Sequence, residues 1–252
     1  HAGIGRYVDE QLQGFKAIGR SGQVAAFSVA EGDAGLKGGL SGLKGRRLRL
    51  GNKPWRLFVL TTHMLRISTG RLCSLSSHIF HATDHLLPYR AAAGKVFTLH
   101  DMTVTLFPDM HRPLNRWFSR AMVPAFMRCA DAVIAVSEST KRDAVRIASV
   151  PAGKIAVIPH GVNRRFRPRA AGGDRDQAVR DRYGLSGPFL LAVGTIEPRK
   201  NLAMLLDVLK AVDNGGEDLK LVVAGRKGWL SGPFFDRLRD TAASHDRLFF
   251  VE

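Results

Sequence analysis

The sequence predicts an α/β protein built from two doubly wound, parallel-sheet domains, and three observations carry that expectation. Four short runs, "HIFHAT", "KVFTLHD", "AVIAVSE" and "IAVIPHG", are apolar throughout, with helical patterns between the later ones. That is how strands buried on both faces of a parallel sheet read. A second alternation of the same kind follows residue 185: a strand over 188–193, a helix over 201–213, a strand over 219–224, a helix over 233–243 and a last strand "LFFVE". Between the two alternations, residues 164–185 are rich in Arg, Gly and Asp with little apolar periodicity, which marks a connection. The expected division is therefore 1–163, 164–185 and 186–252.

The elements justify themselves in order. "HAGIGRYVDEQLQGF" opens with glycines and runs into helical spacing at Ile4, Val8, Leu12 and Phe15. A strand "QVAAFSV" follows, then a glycine-rich loop "GLKGGLSGLKG", a short basic strand "RRLRL" and a helix near 54–67. Helices are expected near 113–130 and 138–148, the second with Ser137 of "SEST" as its N-cap. The second alternation supplies only half of a doubly wound sheet, which several more strands and helices normally complete. The chain is accordingly expected to be a fragment, cut at its C-terminal end and before His1.

Composition bounds the function. The 252 residues are 45% hydrophobic and 24% charged, as in a soluble globular protein, with no apolar run near the roughly 20 residues of a membrane span. The N-terminus lacks the regions of a signal peptide, so the expected compartment is the cytoplasm. The two cysteines, Cys73 and Cys129, are expected to be reduced and packed, and no histidine–cysteine cluster has metal-ligand spacing. Most of the net charge of +16 falls in the first 163 residues, while 186–252 is balanced. Between Asp33 and Asp84, basic residues alternate with Leu48, Leu50, Trp55, Leu57, Phe58, Leu60 and Leu65 and no acidic residue occurs. Such a stretch suits either an anionic bilayer surface or a solvated basic face. Nucleic acid is not expected, because no helix-turn-helix, zinc-finger or RNA-binding signature accompanies the charge.

The stretch that carries chemistry is "VGTIEPRKNL". A strand ends at Val193, Gly194 permits a tight turn with close approach of a ligand, and Asn201 can cap the helix bearing Leu202, Leu205, Leu206 and Leu209. At the carboxyl edge of an open sheet, the free N–H groups of a helix start already attract an anion. Arg199 and Lys200 add a planar fork and a point charge, a pair suited to a diphosphate. An ordinary solvated turn before a surface helix remains the competing reading. "DRD" at 174–176 lies in the connection and is not expected to bind metal, and His78, His81, His85 and His160 form no convincing ligand set, so cleft-lining or structural roles are expected for them.

"VGTIEPRKNL" followed by "LKLVVAGRKGW" closely resembles the donor-binding half of retaining glycosyltransferases of the GT-B fold, group 1 (family 4), particularly those using nucleotide-diphosphate mannose. "GIGRY", "FTLHD", "VSEST" and "IPHGV" fall in the order of that family's other motifs, so the resemblance spans nearly the whole chain. It implies two Rossmann-like domains, the second incomplete here. Lys200 and Arg199 would bind the donor pyrophosphate, with Gly194 and Gly225 close to the donor. Gly3 and Gly5 would form a loop approaching the donor phosphate or the acceptor, and His100 would stand across the cleft near the reacting sugar. Thr195 stands where some members carry a further arginine. A pair of glutamates that the family places after the last strand falls beyond Glu252, so the fragment is expected to be inactive.

The activity so implied is transfer of a hexose, mannose favoured, from a nucleotide-diphosphate sugar to a glycan or lipid-linked glycan with retention and without metal or cofactor. The leaving diphosphate would be stabilised electrostatically and its own oxygen would take the acceptor proton. His100 would orient the sugar or stabilise positive charge, and Asp101 would be a turn residue or a support behind the residues that touch the sugar. The expected setting is the cytoplasm, with the inner face of the membrane as one place for the work there. Two other readings stay open: a GT-B enzyme of another reaction, such as a nucleotide-sugar epimerase or phosphorylase, and a non-catalytic basic module docking on anionic membranes.

Overall fold

A computed structural model describes residues 3–29, 44–73, 78–163, 165–168, 174–213, 219–244 and 248–251. The glycine-rich loop expected at 35–45 lies outside the described residues up to position 43, as does Glu252. The described chain forms two units, one of residues His1–Thr105 and Trp117–Arg165, the other of Leu106–Arg116 and Phe166–Glu252.

The first unit begins with helix α1 (Gly3–Ala17) and a two-stranded parallel sheet, β1 (Ala25–Val29) with β2 (Lys44–Leu48). Helix α2 (Asn52–Met64) and a short helix α3 (Gly70–Cys73) lead to β3 (Ile79–Ala82) and β4 (Gly94–Leu99). After the single turn α4 (Thr103–Leu106) come α5 (Pro113–Cys129), β5 (Ala132–Ala135), α6 (Glu138–Ala148) and β6 (Ile155–Val157). Strands β3-β4-β5-β6 form one parallel sheet in that order, in register at Ala82 with Phe97, Leu99 with Ala135 and Ala135 with Val157. Each of these strands ends on the same edge, so the residues after them, Thr83, His100, Val136 and Ile158, start the loops of one rim. Phe97, Phe126, Val59, Val133 and Leu87 are fully buried beneath it. Ser137 caps α6 as expected, its Oγ accepting the Thr140 N–H at 3.1 Å.

In the second unit, helix α7 (Asp174–Tyr183) precedes β7 (Phe189–Val193), α8 (Leu202–Asp213), β8 (Lys220–Ala224), α9 (Gly232–Ser244) and β9 (Leu248–Val251). The strands pair in parallel as β7-β8-β9. Ile196, Leu206, Leu209, Leu221 and Val223 form its core. Strand β7 is at an edge of this sheet, and its Leu191 and Val193 are exposed rather than covered.

Two parts of the expected layout differ. Residues 174–183 of the expected connection are helical, because Gln177 bonds Asp181 along the helix and Arg180 donates to the Leu185 and Gly187 carbonyls while lying over the Phe189 ring. Side-chain bonds support this helix where an apolar stripe would normally announce one. Residues 106–116 were expected within the first domain and instead group with the second unit, where the Trp229 indole donates to the Met110 carbonyl at 2.9 Å and stacks on His111.

Candidate functional site

In the second unit the turn expected to hold phosphate takes shape from two glycines. β7 ends at Val193, and Gly194 adopts φ +138°, a region favouring glycine. Its N–H donates to the Ala224 carbonyl and the Ile196 N–H to the Arg226 carbonyl, so the ends of β7 and β8 stay side by side beyond the strands. A Cβ on Gly225 would lie 1.8 Å from the Gly194 carbonyl oxygen, and one on Gly228 would lie 2.4 Å from that of Ile196. Gly225 is thus required by a neighbouring backbone.

The chain then tightens into a 3₁₀ turn, Pro198–Lys200, and passes through Asn201 at φ 48° into α8. Asn201 was expected to cap α8 with its side chain. Its amide instead donates to Met204 Sδ, and the residue links the 3₁₀ turn to the helix through its left-handed backbone, which asparagine tolerates.

The two cations of the turn are not equivalent. Arg199 donates through Nη2 to Glu197 Oε1 at 2.6 Å, and Glu197 is only 5% exposed. A carboxylate so enclosed needs this partner, so the Arg199 charge is matched inside the turn. Lys200 is exposed, and its Cε lies 3.8 Å from where a Gly194 Cβ would stand, so its stem folds back over the glycine. The surplus positive charge at this helix start is therefore that of Lys200.

The rim of the first unit holds a second group of polar side chains. His100, directly after β4, gives its Nε2 proton to the Thr83 carbonyl at 2.9 Å, since a carbonyl can only accept. Its Nδ1 has no hydrogen-bond partner among the described residues. The Tyr7 ring meets His100 edge-on at 5.0 Å and His160 at 4.8 Å, and the two imidazoles stack at 5.5 Å. Gln11 donates to the Tyr7 hydroxyl at 2.7 Å, Tyr7 bonds Thr98 Oγ1 at 3.2 Å, and Thr98 bonds His81 Nε2 at 2.8 Å. Burial, and then the charge of His100, hold both His81 and His160 below their ordinary values. His81 is therefore neutral near pH 7. A consistent direction runs Gln11 to Tyr7 to Thr98 to His81, with His81 Nε2 as the final acceptor. Asp101 accepts from the Thr103 N–H and hydroxyl, the turn role expected of it.

The sites expected from sequence are thus distributed between two units. Gly194, Arg199, Lys200 and Gly225 gather in the second, and His100 stands in the first. Gly3 and Gly5 are a correction: they lie in the first turn of α1, not in a loop after a strand. The apolar spacing from Ile4 to Phe15 already carries the helix through them. What "GIGRY" brings to the rim is Tyr7. Tyr7, Thr98 and His160 are the residues the sequence reading missed or left as background; Tyr7 and Thr98 are 91 positions apart, and only the fold pairs them. Among the described residues no group of three His, Cys, Asp or Glu side chains could hold a metal ion.

Comparison with known proteins agrees with this architecture. The chain is 24% identical over 154 residues to the O-antigen chain mannosyltransferase B of Escherichia coli, covering 60% of this chain and 40% of that protein. It is 30% identical over 113 residues to the serotype-specific mannosyltransferase WbdA of Escherichia coli, covering 44% of this chain and 14% of that protein. The matched stretches thus span 40% and 14% of the lengths of these two curated relatives. A glycosyltransferase from Rickettsia africae superposes with a TM-score of 0.61 at 14% identity, covering 98% of this chain and 64% of that one. Anabaena Alr3699/HepE, solved with UDP-glucose, gives 0.56 at 13% identity, covering 90% and 68%. These likenesses establish the GT-B type of fold. The model of Glycosyltransferase Family 4 matches residues 2–166, which holds the whole rim of Tyr7, His81, Thr98, His100 and His160, and the chain belongs to that family.

Proposed function

We propose that the protein to which this chain belongs transfers a hexose, mannose in the first instance, from a nucleotide-diphosphate sugar to a glycan or lipid-linked glycan, with retention and without a metal. The observation that carries the reading is the turn from Gly194 to α8, where Lys200 lies folded over a glycine at the carboxyl edge of a parallel sheet. There the helix N-terminus and the ammonium can stabilise a departing diphosphate as its charge develops. The mannosyltransferase relatives support the sugar, and the sugar-nucleotide complex of a fold neighbour supports the donor class.

In this reading His100 orients the sugar: with Nε2–H committed to the Thr83 carbonyl, its Nδ1 meets a sugar hydroxyl, and the Tyr7 and His160 rings flank it. The leaving phosphate oxygen takes the acceptor proton, so no carboxylate base is required.

The same reading includes peripheral docking on an anionic membrane from the cytoplasmic side. Along α2 and its C-cap residue Leu65, Leu57, Thr61, Met64 and Leu65 are exposed while Trp55, Val59 and Thr62 are buried. Leu57 is 63%, Met64 74% and Leu65 65% exposed, and Lys53 and Arg66 lie exposed beside them. No helix among the described residues is long and apolar enough to cross a membrane, so these residues would lie on the surface.

Calorimetric titration with GDP, UDP and ADP in the presence of a chelator, beside Lys200→Ala and Arg199→Ala, tests the donor site. Chelator-insensitive binding of one nucleotide, weakened about tenfold by Lys200→Ala, is expected. Nucleotide binding that is indifferent to Lys200 would overturn the assignment.

A further inference from the structure

Helix α1 meets the rim through Tyr7, Glu10 and Gln11, which stand three and four positions apart and so lie on one side of the helix. Both carboxylate oxygens of Glu10 accept from Asn163 Nδ2, at 2.9 and 3.0 Å, which ties the loop after β6, and with it His160, to α1. Tyr7 is pinned at its hydroxyl, which accepts from Gln11 at 2.7 Å and bonds Thr98 Oγ1 at 3.2 Å. Thr98 is buried in β4, so this anchor belongs to the sheet.

The ring held in this way closes a triangle with two imidazoles. Its centroid lies 5.0 Å from that of His100 and 4.8 Å from that of His160, and those two are 5.5 Å apart, so each ring touches the other two. His100 needs such neighbours. Its hydrogen bond among the described residues is the one from Nε2 to the Thr83 carbonyl. The Cβ–Cγ bond of a histidine has two broad wells, and half a turn about it exchanges Nε2 with Cε1 and Nδ1 with Cδ2. A turned His100 would lose Thr83 and present carbon where Nδ1 had stood. An ordinary hydrogen bond and an edge-on aromatic contact are similar in size, so the second weighs in the balance between the two orientations.

We infer that Tyr7 is a positioning residue for His100: its ring, anchored through Gln11 and Thr98, keeps the imidazole turned so that Nε2 meets Thr83 and Nδ1 is left for a ligand. The value of that orientation for sugar transfer rests on the function proposed above; the positioning itself does not.

Long-range proton–nitrogen correlation spectra of the imidazoles in this chain, recorded at about pH 8 and so above the ordinary imidazole range, read the orientation. A His100 held on the Thr83 carbonyl shows one tautomer, with its proton on Nε2, whereas a ring that turns freely shows signals averaged between the two. The first is expected of the unaltered chain and the second of Tyr7→Leu. Tyr7→Phe keeps the ring without its anchor and is expected to fall between them, closer to the unaltered chain. Gln11→Ala, at a half-buried helical position where alanine is the favoured residue, is expected to change His100 no more than Tyr7→Phe does. His100 signals unaltered in Tyr7→Leu, or as fully averaged in Tyr7→Phe as in Tyr7→Leu, would overturn the inference. Should Tyr7→Leu not fold, unaltered signals in both Tyr7→Phe and Gln11→Ala would overturn it.

In the protein to which this chain belongs, release of GDP from GDP-mannose supplies the second readout. Tyr7→Leu is expected to lower kcat roughly two- to tenfold, the size of one edge-on aromatic contact, with KM for GDP-mannose changed less than about twofold and most of the rate restored in Tyr7→Phe. Unchanged kcat beside averaged His100 signals would overturn the sugar-orienting role of His100 and leave the positioning standing. A protein that released no GDP would overturn the donor reading, and the spectra would still decide the positioning.

Discussion

Gly225 lies against Gly194 so closely that a Cβ on the first would stand 1.8 Å from the carbonyl oxygen of the second. The contact holds the ends of β7 and β8 together just where the 3₁₀ turn carrying Arg199 and Lys200 begins. Gly225→Ala must push one strand end aside, because the obstructing atom is backbone and cannot rotate away. We expect a loss of roughly 1–3 kcal/mol, the usual cost of overpacking. The expected result is lower thermal stability of the variant together with weakened nucleotide binding; an unchanged melting temperature would contradict the contact.

Glu197 and Arg199 make a second prediction possible. Glu197→Gln keeps the shape of the buried side chain and removes its charge, releasing Arg199 from its ion pair. Breaking a pair of which one member is this deeply enclosed costs on the order of 1–3 kcal/mol after discounting for the partly exposed arginine. If Arg199 serves chiefly to neutralise Glu197, the variant loses stability while Lys200-dependent nucleotide affinity changes less than about threefold, as read by calorimetry. A gain in affinity comparable to the loss in Lys200→Ala would show that Glu197 was restraining a second phosphate-binding cation.

Much of this architecture is legible in the sequence, for identifiable reasons. β3 through β9 are apolar runs bounded by polar turns, and Ser137 is followed by the helix it caps, so local pattern and fold agree there. Gly194, Arg199 and Lys200 are close in sequence, and the turn that gathers them is local. The hidden features depend on distance or on conformation. Tyr7, Thr98 and His81 come from three separate elements, and nothing near Tyr7 announces a partner. α7 lacks an apolar stripe, which leaves its helix unannounced. Asn201 reads as an N-cap by residue type, yet the preceding 3₁₀ turn leaves it in the left-handed region, where its backbone rather than its side chain makes the connection. Gly3 and Gly5 mislead because a glycine motif suggests a loop, whereas the helical spacing that runs through them decides the conformation.

Three histidines give stability a pH dependence whose sign is fixed. Burial lowers His63, His81 and His160 from their ordinary value of 6.5, against a raising bond from the Leu87 carbonyl in His63 and reinforced by the charge of His100 in the other two. Between the lowered folded values and 6.5 the unfolded chain binds more protons than the folded one, so stability rises with pH. It is fully present above 6.5 and is lost as pH falls through the folded values. The melting temperature should therefore fall on going from about pH 7.5 to about pH 5, before the carboxylates titrate. Asp84 and Asp131, both lowered below 3.8, add a second loss only under more acid conditions. Scanning calorimetry across this range is the measurement, with His81→Gln expected to flatten the slope; a melting temperature that rose as pH fell to about 5 would reverse the assigned sign.

The exposed residues of α2 and its C-cap yield a prediction that separates membrane docking from a merely solvated basic surface. Leu57 and Leu65 are both exposed, about two turns apart, and inserting them would bury apolar area while Lys53 and Arg66 lie near anionic headgroups. The two contributions respond to different changes. Salt screens the electrostatic part within a Debye length of about 10 Å at roughly 0.1 M, whereas Leu57→Glu with Leu65→Glu removes the apolar part and adds repulsion. Sedimentation with vesicles containing phosphatidylserine should show binding that falls severalfold in high salt and more than about tenfold in the double variant, each glutamate costing at least the roughly 1 kcal/mol of one surface charge. A solvated face would leave the chain in the supernatant at every salt concentration. Binding that depended on salt but not on the two leucines would assign the attraction to the basic residues alone and remove α2 from the membrane contact.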